Sequence, residues 1–485
     1  MSNVLRNIPS VNDLLESPPL RRAMEIANRT AVVSTVRQFL DNLRHEVQTA
    51  ATEVDLPTPA ELAERIARWI TDDQTPNLRP VINATGILLH TGLGRAPLAP
   101  SALEAVVEIA RGYSAVEVDV DSGQRAQRVA DVERMLRRLT GAEAALVVNN
   151  NAGATLLALA SLAAGKEVIV SRGHLVEIGG SYRLPEVMEF SGARLREVGT
   201  TNKTRIDDYR RAIGPETAAL MRVHTSNYAI VGFTEQAALA DLVDLGRKHH
   251  VIVIDDLGSG ALHDLTEWGI KGEPTVASSV HSGADVILFS GDKLVGGPQC
   301  GIILGGKQHI DKIRKYPLMR ALRVDKLTLA ALYGTLQLHQ SRERVQQTIP
   351  LYELLSTSMA NLQNRAERLA PQIAACAAIA EARAVAGTTY LGGGSLPMQE
   401  IETWCIAVRP AKGTLDGLAK SLRRGSPALF GRIHKDRLLL DLRTVFPRQD
   451  LELVEAVRRL TNETLEQEMV DRSPMPEPDI EKPSS

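Results

Sequence analysis

The chain has 485 residues, 44% hydrophobic and 24% charged, with a formal net charge of −2. That is an ordinary globular composition, and its bulk charge predicts no polyanion partner. No apolar run approaches the ~20 residues of a membrane span. The opening MSNVLRNIPSVNDLL lacks the apolar core and small-residue cleavage site of a secretion signal, and Cys300, Cys376 and Cys405 are too few and scattered for a disulfide framework or a zinc site. A cytoplasmic protein with reduced thiols is expected.

In chain order, residues 1–75 read as helical. Val32, Val36, Phe39, Leu40, Leu43 and Val47 recur at helical spacing, as do Leu62, Ile66 and Ile70. DLPTP separates the two runs and TDDQTPNLRP ends the second. Residues 80–335 alternate helical stretches with seven strand candidates: AALVVNN, KEVIVSR, RLREVGT, AALMRVH, HVIVIDD, DVILFSG and CGIILGG. Such alternation predicts right-handed crossovers and a mostly parallel sheet, an α/β fold. Residues 340–470 read as a smaller α+β part that begins with a long helical stretch. The tail, 471–485, is rich in proline and charge with little to bury, and is expected to be disordered.

Open parallel sheets bind ligands beyond the carboxyl ends of their strands. Three such ends carry polar residues. VVNNNAGATLLAL runs from a strand into a helix start, whose N–H groups at Asn151, Ala152 and Gly153 suit an anion. VIVIDDLGSG stops at Asp255 and Asp256, and ILFSGDKLVGG places Ser290, Asp292 and Lys293 after a buried strand. Helix-start donors, a carboxylate and a lysine are the parts of a pyridoxal phosphate site. Lysine makes the Schiff base, the carboxylate keeps the pyridine nitrogen protonated, and the helix start with Ser290 holds the phosphate. Each part has a plainer reading: a loop cation, a turn aspartate, an ordinary helix cap. SGDKL lacks the glycine spacing and the Ser/Thr of a P-loop. The order of helix start, carboxylate and lysine resembles fold-type-I pyridoxal-phosphate enzymes.

Longer motifs narrow the resemblance. INATGILLHTGLGRAPL, GAEAALVVNNNAGAT, VSRGHLVEIGGSYRLPEVM, VGTTNKT, VHTSNYAIVGFT, DLGSG, SGDKLVGGPQCGIILG and RGSPALFGRIHKDRLLLDLRTV follow one another as in bacterial selenocysteine synthases, the L-seryl-tRNA(Sec) selenium transferases. The match runs from about Asn83 to Arg448. It implies pyridoxal 5'-phosphate on Lys293, with Asp256 at the ring nitrogen. It further implies that Lys293 removes the Cα proton of the seryl group and that Asp292 protonates the departing hydroxyl. Selenophosphate then supplies selenium, and Arg95, Arg320 and Arg323 stand where the family binds that anion. Arg320 and Arg323, three apart, would share a helix face. The family also implies seryl-tRNA(Sec) as partner and a homo-oligomer, a ring of dimers such as a decamer.

This sequence departs from the family pattern at Ala115, where asparagine is usual, and in GQRAQR, where Arg125 and Arg128 keep a charge role open. His174 is a further ring-stacking candidate. Cysteine desulfurases share the fold but need a cysteine on a mobile loop. Here Cys300 reads as strand, Cys376 as apolar helix and Cys405 as part of the apolar WCIAV. Two other readings remain: a pyridoxal-phosphate lyase or β-eliminating enzyme on a small amino acid or amino sugar, and a non-catalytic RNA-binding protein on the same scaffold. For tRNA, residues 1–80 hold nine Arg against eleven Asp/Glu, so Arg21, Arg22, Arg29, Arg37 and Arg44 would act by placement and shape. Arg409 to Arg448 holds ten Lys/Arg against three Asp and is the other candidate surface.

Overall fold

The structure is a computed structural model that describes residues 8–49, 57–74, 76, 78–180, 182–225, 227–393 and 395–462. The expected disordered tail, 471–485, lies outside the described residues. The chain divides into two compact units, Met1–Pro80 and Val81–Ser485.

The first unit holds four helices, Val11–Leu15, Pro18–Ile26, Arg29–Thr49 and Pro59–Gln74. Local chemistry starts them. Ser10 and Asp13 form a capping box, and Pro18 opens the second helix, where its missing N–H costs nothing. Thr58 and Glu61 exchange the same reciprocal bonds at 2.7 and 3.3 Å before the fourth. The heptad-like residues meet as expected: Val32, Val36, Leu40, Leu62, Ile66 and Ile70 are buried in one core with Leu14 and Leu20. Arg21, Arg22, Arg29, Arg37 and Arg44 lie on the exposed surface, Arg44 paired with Asp41 at 2.7 Å.

In the second unit all seven strand candidates join one sheet. Its order is Ala144–Val148, Gly301–Gly305, Val286–Ser290, Ile252–Gly258, Thr217–Val223, Glu167–Ser171, Arg194–Val198. Gly301–Gly305 runs antiparallel to both neighbours; the other pairings are parallel. Strand alternation divides the apolar residues between two cores. Leu220, Val253, Ile287 and Ile302 face one side, and Met221, Ile254, Leu288 and Ile303 the other. With both faces covered, the polar strand ends are where chemistry can gather.

A six-stranded sheet follows the order Val81–Ala84, Ala428–His434, Arg437–Asp441, Ser395–Pro410, Ile379–Gly392, Ile87–Leu89. Its first and last strands come from residues that the sequence places in the large α/β part. They pair in parallel with strands from the C-terminal part, so the chain starts in the second sheet before entering the first. The helix Met359–Ala374 packs over this sheet and shares its core. Cys376 lies past the end of that helix rather than within it, and Cys300 one residue before its strand; all three cysteines are buried and free.

Candidate active site

The strand Ile252–Gly258 delivers two adjacent carboxylates, and alternation sends them to opposite faces. Asp255, fully buried, takes a forked pair of bonds from Arg222, 2.6 Å from Nε and 2.9 Å from Nη2. Asp256, 5% exposed, accepts from Asn151 Nδ2 at 2.9 Å, Thr155 Oγ1 at 3.0 Å and the Gly258 N–H at 3.1 Å. Burial pushes its pKa up, while the bonds from Asn151 and Thr155 and the charge of Lys293 oppose that. Asp255 is thus committed to a structural pair, and Asp256 is the carboxylate that faces the lysine.

Lys293 sits in the turn after Val286–Ser290 and is only 5% exposed. Burial lowers the pKa of its amine and Arg95 lowers it further; Asp292, Asp256 and Glu273 draw it back up. An amine so placed is neutral more often than a surface lysine, and the neutral amine is the one that condenses with a carbonyl. The turn is pinned from three sides. The Leu294 N–H donates to Ser259 O at 3.1 Å, Tyr352 OH donates to Leu294 O at 2.6 Å, and His339 Nε2 donates to Val295 O at 2.8 Å.

The helix Asn151–Ala163 begins beside these groups. Asn150 caps it, its side-chain oxygen accepting from the Gly153 N–H at 2.8 Å. Of the expected phosphate donors, the Gly153 amide is therefore held by Asn150, and the Asn151 side chain serves Asp256. The amides of Asn151 and Ala152 lie in the first turn, where no intrahelical acceptor exists. Gly301 lets this loop approach: a Cβ there would lie 2.2 Å from Asn150 O. Ser290 is buried and pairs with Gly301 across the strands.

Arg95 comes from a loop to Asp292, the neighbour of Lys293 in the chain. Its φ of 61° is left-handed, a backbone strain of about 1–3 kcal/mol for a residue with a side chain. Its Nη1 lies 2.7 Å from Asp292 Oδ2. A cavity of about 270 Å³ opens on this pair, lined also by Thr91, Gly297, Pro298 and Gln299. Arg320 and Arg323 do not share a helix face. The helix Leu318–Ala321 ends first, and Arg323 bridges to Val148 at the end of the Ala144–Val148 strand. The Leu322 carbonyl, between them, accepts from the Asn149 N–H at 2.9 Å. Arg323 points at Glu117, 3.7 Å away, which also binds Arg128 at 2.8 Å and Arg125 at 3.3 Å. Among the described residues no bond joins Arg320 or Arg323 to Arg95 or Lys293. Arg128 also donates to Val324 O at 2.9 Å, so the second arginine of GQRAQR holds the segment that carries Arg323.

Sequence reasoning missed several residues here. Thr155 stands one turn after Asn151 and reaches the same carboxylate, a spacing that could have been read. Glu273, Ser259 and His224 come from loops, and Tyr182 from a two-residue strand, with no periodicity to mark them. Burial and then the Arg222 charge lower the pKa of His174, to about 4, and that of His224. Asn151 Oδ1, His174 Nδ1, His224 Nδ1 and Glu273 Oε2 are buried without a hydrogen-bond partner among the described residues. Buried polar atoms are rarely left so. With a buried amine facing a buried carboxylate at a helix start, the centre has the donors and acceptors pyridoxal phosphate would use, and the residues fit that group.

Comparison with known proteins identifies the family of the chain. The family described as SelA: L-seryl-tRNA selenium transferase matches residues 81–446, and the one described as Selenocysteine synthase N terminal matches residues 5–44. An L-seryl-tRNA(Sec) selenium transferase of Moorella thermoacetica is 48% identical over 459 residues, covering 94% of this chain and 96% of that one. Its counterpart in Geobacter sulfurreducens is 45% identical over 464 residues, covering 95% and 100%. Among solved structures, D-glucosaminate-6-phosphate ammonia-lyase superposes with a TM-score of 0.56 at 24% identity, covering 81% of this chain and all of that one; this likeness concerns the fold. The fold is the expected fold-type-I arrangement, and the chain belongs to the L-seryl-tRNA selenium transferase family.

Proposed function

We propose that the chain converts L-seryl-tRNA(Sec) to L-selenocysteinyl-tRNA(Sec) in the cytoplasm, with selenophosphate as selenium donor and pyridoxal 5'-phosphate as cofactor. The observation that carries this reading is the pairing of buried Lys293 with buried Asp256 at strand ends, in a chain of this family. When bound, pyridoxal phosphate supplies the electron sink that makes the Cα proton of the seryl group removable. Lys293 would hold it covalently, Asp256 would face its ring nitrogen, and the amides of Asn151 and Ala152, with Ser290, would receive its phosphate.

With that group bound, the Lys293 amine would be the base that takes the Cα proton. The hydroxyl leaves as water carrying one proton. Asp292 is held by Arg95, 2.7 Å from its Oδ2. The proton that Lys293 takes from Cα can pass to the departing hydroxyl, directly or through Asp292 beside it, and so balances the step. Asp292 then acts by holding Arg95 until an anion engages it. Arg95, with a buried Nε that has no hydrogen-bond partner among the described residues and an adjoining cavity, is the anchor for selenophosphate. Arg320 and Arg323 enter from the Glu117 side, and a ring of dimers is the assembly in which they would join a shared site.

The test is to mix the purified protein with serylated tRNA(Sec) and selenophosphate and assay selenocysteinyl-tRNA(Sec). Absence of product from protein that holds the cofactor on Lys293 would favour a lyase acting on a small substrate.

A further inference from the structure

The DLGSG motif contributes more than Asp256. Its serine, Ser259, is fully buried and makes two bonds that join separate parts of the site. Its carbonyl accepts from the Leu294 N–H at 3.1 Å, next to Lys293. Its hydroxyl donates to Glu273 Oε1. Gly260 lets the motif pass against the lysine strand, since a Cβ there would sit 2.4 Å from Phe289 Cδ2. The following turn is stitched to the segment of Glu273, the Val276 N–H donating to Ala261 O at 2.8 Å. Glu273 is thus held by a built loop pair, with its second oxygen, Oε2, buried and unbonded among the described residues.

We infer that Glu273, anchored by Ser259, is a positioning residue that sets the charge state of the Lys293 centre. The inference rests on the cofactor reading above. The groups that face Glu273 electrostatically are Lys293 and Tyr352, and Ser259 bonds it; Lys293 is faced in turn by Arg95, Asp292 and Asp256. Burial raises the Glu273 pKa to about 7, against which the Ser259 bond and the Lys293 charge work. A carboxyl with that value changes charge near neutrality, where an ionised Glu273 would favour the protonated nitrogen at Lys293 and a neutral one would release it. Among the carboxyls around Lys293, Asp292 has Arg95, and Asp256 has Asn151 and Thr155. Glu273 has one hydroxyl, which leaves its proton free to move.

The experiment titrates the visible absorbance of the cofactor-loaded protein against pH, after borohydride fixation and peptide mapping have placed the cofactor on Lys293. Glu273→Gln should keep the cofactor bound but move the spectral midpoint to lower pH by about one unit, the size expected when a nearby opposite charge is removed. Glu273→Asp should restore it in part. Ser259→Ala weakens the hold on the carboxylate, should move the midpoint the same way, and decides the matter if Glu273→Gln does not fold. A midpoint unmoved in either folded variant overturns the role of Glu273. A borohydride adduct on another lysine overturns the cofactor assignment instead, so the two failures are distinct.

Discussion

The helical unit and the strand-end centre handle charge in opposite ways. In the helical unit Arg21, Arg22, Arg29, Arg37 and Arg44 stand in solvent around an apolar core, and the ion pair of Arg44 with Asp41 is exposed on both sides. Such pairs are worth about 0–1 kcal/mol. At the strand ends, Asp255, Asp256, Asp292 and Lys293 are each 7% exposed or less. Interior charge is costly unless paired, so Asp255 takes Arg222, Asp292 takes Arg95 and Asp256 takes the bonds of Asn151 and Thr155, while burial shifts Lys293 toward its neutral form. A costly arrangement points to its own chemistry; a cheap surface one does not say what it serves.

The comparison predicts that a change in the interior stops chemistry and a change at the surface stops recognition. Lys293→Ala should remove covalent cofactor and lower turnover by on the order of 10⁴-fold or more, since nucleophile and base vanish together. Retained turnover, with a borohydride adduct elsewhere, would sink the assignment. Asp256→Asn should leave the cofactor bound and lower turnover by on the order of 10²-fold or more. Undiminished turnover in that variant would mean that the Arg222-paired Asp255 serves the ring after all. At the other extreme, deleting residues 1–75 should leave the cofactor absorbance intact and abolish tight tRNA(Sec) binding at fixed salt. Binding by the truncated protein as tight as full length would move recognition to Arg409–Arg448.

Between the extremes lie the three anion arginines, which sharpen the contrast because they differ in burial. Arg95 is three-quarters buried on its side chain and strained; Arg323 is nearly half exposed. Charge-assisted bonds are worth about 1.5–3 kcal/mol each, so alanine at either should slow selenium transfer about 10- to 100-fold while hydroxyl elimination continues. Arg95→Ala should sit at the upper end. Parallel loss of elimination and transfer would assign these arginines to the tRNA or to the fold.

What was legible in the sequence follows the same division. Most strands of the large sheet stood out because strands buried on both faces read as unbroken apolar runs; the edge strand Arg194–Val198, exposed at Arg194, Arg196 and Glu197, showed instead by its place in the alternation. The helical periodicity of the first unit was legible for the matching reason. The long strands Ile379–Gly392 and Ser395–Pro410 were not, because one side of Ile379–Gly392 is half exposed and its residues alternate weakly. Nor was the departure of Val81–Ala84 and Ile87–Leu89 into the second sheet, since their partners lie some 300 residues onward and periodicity is local. Of the site, Lys293 and Asp256 could be read from strand ends. Arg323 was misjudged because a helix ending at Ala321 carries no glycine or proline there to announce it. Ser259 and Glu273 meet only through tertiary packing.

The smallest effect tests the cost of interior charge directly. Glu273 has a folded pKa of about 7 against an ordinary 4.5. Between those values the unfolded chain has lost the proton and the folded chain still holds it, so fewer protons are bound on unfolding. Stability must then fall as pH rises through that window and level off above about 7. Glu273→Gln cannot ionise and lacks this slope. Urea unfolding of the cofactor-loaded proteins should give equal stabilities near pH 4.5. The variant should gain on the parent up to pH 7 and then keep a constant advantage of about 1–2 kcal/mol, reduced from the full linkage value because the site is partly open to solvent. Parallel stability curves from pH 4.5 to 8 would mean that Glu273 ionises in the fold as it does in water. The interior of this site would then extend only as far as the carboxylates that have cationic or amide partners.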